Sequence, residues 1–316
     1  TMENMIKTIK ISQLFGDKDI EWNLQKTNVL VGKNGMGKST VLQLVVNTIS
    51  QEEIHDKSKL CSEVTIELDS NNILKLRKSQ ENISNLLDLV DEQEMKRLII
   101  KEVRENNHIK SELKDVMINS IKKNKFRFNI TDSIEYTATK NETKVNFEFV
   151  STMALNANSF QNIEMGNGKT ENILDWQIQN ELDRLSKINN LDLNNKFITS
   201  LNHMFSESNK SVSLNNKFEL EFKFNNEILN FPQLSSGERQ VIYILLKVAI
   251  ATKDNALILM DEPEISLHLS WQEKLLAQIR EINPNSQIII VTHSPAIVMN
   301  GWLDCFVDIQ DIIVKG

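Results

Sequence analysis

The sequence predicts an α/β fold with a mixed, largely parallel core sheet, organised as two lobes with an inserted helical and β subdomain. Three observations point there. TNVLV (27–31) is a β-rich run, and ALILM (256–260) and QIIIVT (287–292) carry the short continuous apolar stretches of strands covered on both faces. Helical patterns alternate with these runs, as in layered α/β proteins. Between about 50 and 230 the pattern switches to alternating strands and charged helices, as expected of an insertion. The expected division is 1–80 for the first lobe, 81–230 for the insertion and 231–316 for the second lobe.

The elements follow in order. MIKTIKI (5–11), the turn signal FGDKD (15–19) and TNVLV read as strand, turn and strand. A helix follows from Lys38 to Ile49. EVTIEL (63–68) and ILKLRK (73–78), joined by DSNN, read as a hairpin. Ile83, Leu86, Leu87, Val90, Leu98, Ile99 and Val103 recur at helical spacing, and HIKSELKDVMINSIKK (108–123) continues as a second helix. FRFNI, SIEYTAT and KVNFEFVST return to strand alternation. GNGKTEN (166–172) reads as a loop. Residues 171–206 read as helices with Trp176, Leu182, Leu185 and Ile188 on one face. FELEFKF and EILNF are strands, QVIYILLKVAIA a strongly apolar helix and SWQEKLLAQIREI another.

Composition narrows the function. A net charge of −7 over 316 residues disfavours general nucleic-acid binding, although local basic stretches remain. Two of these are Lys75, Arg77 and Lys78, and KKNKFRF, with Lys122, Lys123, Lys125 and Arg127 beside Phe126 and Phe128. Either a solvated strand face or contact with nucleic acid fits them. Cys61 and Cys305 lack metal-ligand spacing and fit free thiols in a reducing cytoplasm. No apolar run reaches the length of a membrane span.

VLVGKNGMGKST (29–40) matches the phosphate-binding pattern G-x-x-x-x-G-K-[ST] between a strand and a helix. Gly32, Lys33, Asn34, Gly35, Met36, Gly37, Lys38, Ser39 and Thr40 form the expected nucleotide loop. Its glycines let backbone N–H groups converge on an anion, and the helix N-terminus adds partial positive charge. Lys38 reaches the β- and γ-phosphates, and the Ser39 hydroxyl ligates Mg²⁺. In ALILMDEPE, Asp261 and Glu262 emerge at the carboxyl end of a buried strand. Asp261 is the expected Mg²⁺ partner and Glu262 the base for the attacking water. His293, in IIIVTHSP, is positioned to hydrogen-bond the γ-phosphate.

GKNGMGKST, LSSGE (234–238), LILMDEPE and THSP, in that order, resemble the ABC-type ATPase heads, over about residues 5–78 and 230–303. The resemblance implies that Ser235, Ser236, Gly237 and Glu238 form a signature loop serving the nucleotide of a second copy. ATP and Mg²⁺ would then be held in a head-to-tail homodimer, with higher assembly left open. Ser236 and Glu238 depart from the transporter form LSGGQ and look like SMC- and OLD-type loops. EPEISLH resembles the D-loop, with His268 where transporters carry Asp. Ser151 and Gln161 are candidates for the Q-loop, and Phe15 for adenine stacking.

The insertion is too short for an SMC coiled coil, and the 23 residues after His293 are too few for a Toprim nuclease. THSPAIVMNGWLD, DEPEISLHLSWQEKL and FVST resemble the stand-alone ATPases of bacterial anti-phage defence of the Septu, PARIS and retron types. That implies a nucleotide-switched sensor or regulator of a separate effector such as a nuclease. A DNA-maintenance clamp and an ATP-assembled scaffold are the alternatives.

Overall fold

A computed structural model describes residues 5–51, 54–56, 60–79, 134–138, 143–164 and 170–315, with single positions between 97 and 122. The first strands are β1 (Ile6–Leu14), β2 (Lys18–Asn23) and the fully buried β3 (Thr27–Val31). Lys18 and Asp19 of the expected turn FGDKD, together with residues 20–23, form β2 and pair antiparallel with β1. Helix α1 (Lys38–Ser50) follows the glycine loop. Strands β4 (Ile54–Asp56), β5 (Glu63–Leu68) and β6 (Ile73–Ser79) come next, then β7 (Ile134–Ala138) and β8 (Phe147–Ser151). Helix α2 (Thr152–Ser159), the β9 (Asn162–Glu164) and β10 (Thr170–Asn172) pair, α3 (Ile173–Ser186) and α4 (Leu191–Phe205) follow. The chain continues through β11 (Lys210–Leu214), β12 (Leu220–Phe224), β13 (Glu227–Leu229), α5 (Ser236–Ala251) and β14 (Leu257–Asp261). It ends with α6 (Leu269–Ile282), β15 (Ile288–Thr292), α7 (Ala296–Met299), β16 (Phe306–Asp308) and β17 (Ile313–Lys315).

The central sheet is five-stranded, in the order β16-β3-β15-β14-β8, and every pairing in it is parallel. The antiparallel strands do not mix into it; β17-β2-β1-β5-β6 form a run in another sheet. Strands β3 and β15 are buried along their whole length, which is why they are mostly apolar, and the buried Asn28 of β3 is satisfied by donating to Ile288 O at 3.0 Å. Helix α5 is buried on all sides and sits in one hydrophobic core with α3, α4, α6, β14 and β15.

The chain divides into two compact units. One comprises 1–52, 60–76 and 138–316, and the other 53–59 and 77–137. The expected boundary at 230 is therefore displaced. Strand β8 pairs with β14, and Leu182, Leu185, Phe197 and Leu201 pack in the same core as α5. These segments belong to the larger unit because its core requires their apolar faces. In the smaller unit β4 pairs antiparallel with β7. Most of the expected helical stretch 83–123 and all of FRFNI lie outside the described residues. So do 165–169 of the expected loop, whereas Thr170–Asn172 pair with Asn162–Glu164. No helix among the described residues is long and apolar enough to cross a membrane. Both cysteines are free thiols.

Trp176 corrects one expected face. It is 39% exposed, while Leu174, Ile178, Leu182 and Leu185 form the buried stripe of α3. The i, i+4, i+8, i+11 spacing of those four is the true helical face.

An ion network fastens β8 to α3 and α5. Lys247 Nζ lies 2.8 Å from Glu148 Oε2 and 3.2 Å from Glu181 Oε1, and Arg184 pairs with both carboxylates. Burial pushes the Glu148 carboxyl up, but Arg184 and Lys247 outweigh it and hold it below its ordinary value of 4.5. The stability this group contributes is present above 4.5 and lost as pH falls through its depressed folded value. Lys247→Met removes one partner and leaves two buried carboxylates with Arg184 alone. It should destabilise the fold by about 3 kcal/mol or more, read as a fall in the urea midpoint.

Candidate functional site

Parallel register brings the chemistry to one edge. Asp261 ends β14 level with Ser151 on β8 and Val291 on β15, and Thr292 ends β15 level with Val31 on β3. Each of these strands delivers its next residues to the same side of the sheet, where open parallel sheets place ligands.

The glycine loop from Gly32 to Gly37 joins β3 to α1. Gly37 is the N-cap, at φ 94°, a left-handed conformation that glycine adopts without strain. No side chain caps α1, and no acid occupies its first turn. Its first N–H groups therefore remain available to an anion. Lys38 is only 3% exposed and donates to the carbonyls of Gly32 (2.7 Å) and Lys33 (3.1 Å). Its ammonium also lies 3.9 Å from Glu262 Oε1.

Ser39 Oγ donates to Asp261 Oδ1 at 2.7 Å. A hydroxyl and a carboxylate converging at the end of an anion loop are the hard oxygen donors that suit Mg²⁺, so the residues fit that ion. Burial raises the Asp261 pKa, as does the charge of Glu262, while Ser39 and Lys38 oppose the shift.

Glu262 has φ 51°, an uncommon left-handed backbone for a non-glycine residue. Its N–H donates to Val291 O at 2.8 Å, which holds this turn against β15. Its carboxylate contacts His293 Nδ1 and accepts from the His293 N–H at 3.2 Å. Burial raises the Glu262 pKa, but hydrogen bonds from Glu264 and His293, with the charges of His293 and Lys38, bring it below the ordinary value.

Glu264 was not among the expected site residues. It is 3% exposed, accepts from the Thr292 hydroxyl and from the His293 N–H at 3.1 Å, and lies 3.0 Å from His293 Nδ1. Burial and the neighbouring Glu262 raise its pKa to about 7. Of the two carboxyls, Glu264 is thus the one whose surroundings favour a proton and Glu262 the one whose surroundings favour the charge. Glu262, Glu264 and His293 bring three ligand-type atoms within 4.8 Å, and their mutual hydrogen bonds account for the grouping.

These groups border a cavity of about 360 Å³ lined by Phe15, Asn34, Gly35, Gly37, Lys38, Ser39, Thr40, Met153, Glu262, Ile265 and His293. Phe15 lies against the loop, since a Cβ added to Gly37 would come within 2.5 Å of its ring. Ser151 stands at the strand end beside Asp261, and Met153, two residues on, reaches the cavity. Gln161, the other Q-loop candidate, is exposed and absent from the lining.

Ser235, Ser236, Gly237 and Glu238 are also absent from the lining. They open α5 in a capping box. Ser235 Oγ accepts from the Glu238 N–H at 3.2 Å, and the Ser235 N–H donates to Glu238 Oε2 at 2.7 Å. The Ser235 hydroxyl hydrogen stays available to donate. Lys210 Nζ, 2.6 Å from Glu238 Oε1, balances the acid at this helix start. A Cβ on Gly237 would lie 2.6 Å from the Ser266 carbonyl oxygen, so this glycine serves a close approach within the chain. Gln240 Nε2 adds a bond to Pro263 O at 2.9 Å. His268 caps α6 only by position and packs edge-on to Trp271 at 5.6 Å. Lys75 pairs with Glu63 at 3.8 Å.

The family model described as "AAA domain, putative AbiEii toxin, Type IV TA system" matches residues 27–300, from β3 past α7. Septu protein PtuA of Bacillus thuringiensis is 26% identical over 315 residues, covering 93% of this chain and 73% of that protein. "Retron Ec83 probable ATPase" of Escherichia coli is 30% identical over 95 residues, covering 25% of this chain and 18% of that protein. An SMC head solved with the C-winged helix domain of ScpA shares the fold, with a TM-score of 0.52 at 14% identity, covering 93% of this chain and 91% of that one.

Two substitutions check this geometry. Gly237→Ala forces its new methyl against backbone and should destabilise the fold by about 1–3 kcal/mol in urea denaturation. Glu264 holds its proton more tightly in the folded chain, so its contribution weakens stability as pH rises from 4.5 to about 7. Glu264→Gln should flatten that part of the stability–pH curve in denaturation series across the same range.

Proposed function

The chain belongs to this AAA-domain family of SMC/OLD-like ATPases, and from that premise we propose that it binds and hydrolyses ATP with Mg²⁺ as the switch of a bacterial anti-phage defence system. The observation that carries the proposal is the cavity where the glycine loop, Glu262 and His293 meet while the LSSGE residues take no part. A complete phosphate grip, lacking donors from Ser235, Ser236 and Gly237, suits a nucleotide shared between two copies.

In this reading the N–H groups opening α1 and the Lys38 ammonium hold the β- and γ-phosphates. Ser39 and Asp261 would hold Mg²⁺, which supplies charge neutralisation at the phosphates. Glu262 accepts a proton from the attacking water as that water's oxygen bonds to the γ-phosphorus. The β–γ bridge breaks, leaving ADP and phosphate. His293, anchored at Nδ1, presents its other ring nitrogen to the γ-phosphate. Phe15 offers a face to the base. Ser235 of a second copy donates to the same phosphate, so binding assembles the pair and hydrolysis releases it. The relation to Septu PtuA supports a separate effector, with a nuclease as the expected kind.

Glu262→Gln should slow steady-state ATP turnover by roughly 10²–10⁴-fold while preserving nucleotide affinity. The same variant should accumulate as an ATP-dependent pair in sedimentation. Unchanged turnover would remove Glu262 as the base. Ser235→Arg should abolish turnover yet spare binding by a single copy, and full activity in that variant would refute the shared site.

A further inference from the structure

Charge is unevenly distributed along this acidic chain. Residues 96–127 hold ten Lys and Arg against four Asp and Glu, whereas the whole chain carries −7. Within the smaller unit, Val103 and Ile118 are buried against each other with Ile100 beside them. Lys114 Nζ donates to the Arg104 carbonyl at 2.8 Å, tying the two helical stretches. That small core leaves the cations outside. Arg97, Lys101, Arg104 and Lys122, with Ile100 at the base, line a cavity of about 420 Å³.

We propose that this basic groove binds the phosphate backbone of a nucleic-acid duplex, independently of sequence. All four polar lining residues are cations, and Arg97, Arg104 and Lys122 have no ion-pair partner among the described residues. Arg97, Lys101 and Arg104 stand at i, i+4 and i+7, one helical face about 10 Å long. Consecutive phosphates of one strand advance about 3.4 Å along a duplex axis, so the face spans roughly three of them. Among the described lining residues there is no amide or carboxylate to read adenine or cytosine and no aromatic ring on which an unpaired base would stack. Arginine and lysine can read guanine, but four clustered cations without those partners favour backbone capture. Lys122 also opens KKNKFRF, whose remaining residues lie outside the described set. This site stands apart from the ATPase reading and does not depend on it.

The test is fluorescence anisotropy of the full chain with a labelled 30-base-pair DNA duplex over a salt series. The wild-type protein should bind at low salt with a log–log slope of about −3 to −4, near −0.9 for each phosphate neutralised. Arg97→Gln with Arg104→Gln should weaken binding roughly tenfold or more and bring the slope toward about −2. Circular dichroism should show both proteins equally folded, because the substituted side chains are exposed. Lys38→Ala should bind DNA as the wild type does. Absence of binding at low salt, or equal affinity and slope in the groove variant, would overturn the proposal. So would loss in Lys38→Ala alone, which would move the phosphate contact to the glycine loop. Equal binding of a single strand would overturn the duplex assignment, and equal competition by polyglutamate would point to an acidic protein instead.

Discussion

Parallel register among β3, β15, β14 and β8 is the constraint on which the rest depends. It brings Val31, Thr292, Asp261 and Ser151 to one edge of a buried sheet. A single-residue slip would turn every side chain of a strand to the opposite face. Ser39 could then no longer reach Asp261, and the turn at Glu262 would lose its bond to Val291. The apolar core under these strands therefore supports more than stability. It sets the relative position of groups contributed by chain segments more than 200 residues apart.

The two glycine-containing helix starts differ in a way that matters chemically. The first turn of α1 is uncapped and free of acid, so its positive end faces outward unsatisfied. The start of α5 is closed by Ser235 and Glu238 and balanced by Lys210. The first arrangement is ready for a polyphosphate, and the second is self-sufficient until something displaces or adds to its bonds. That asymmetry supports the proposed reading in which the grip and the signature loop act from different copies. The carboxylates follow a similar division. Glu148 is buried among cations that favour its charge, whereas Glu264 is buried beside another acid, which favours its protonated form.

Much of the fold was legible because its signals are contiguous. The glycine loop, the apolar strands and the edge residues Asp261, Glu262 and His293 each stand in a short unbroken pattern. Strand β2 was missed because its first residues, Lys18 and Asp19, belong to a turn signal and the short stretch after them shows its pattern only once β1 is there to pair with it. The division at 230 failed for a related reason. The stripes of α3 and α4 look like any amphipathic pair, and nothing local says that they share a core with α5.

By itself the sequence determined the order of the elements, the anion loop, the acidic strand end and the family to which they point, because these depend on neighbours along the chain. Tertiary structure alone decided that Glu264 joins Thr292 and His293, that Lys210 neutralises Glu238, and that Gly237 makes room for Ser266. Those partners lie 28 or 29 residues apart along the chain. Their meeting, and the raised pKa of Glu264, arise from packing and lowered solvation, which no local pattern encodes.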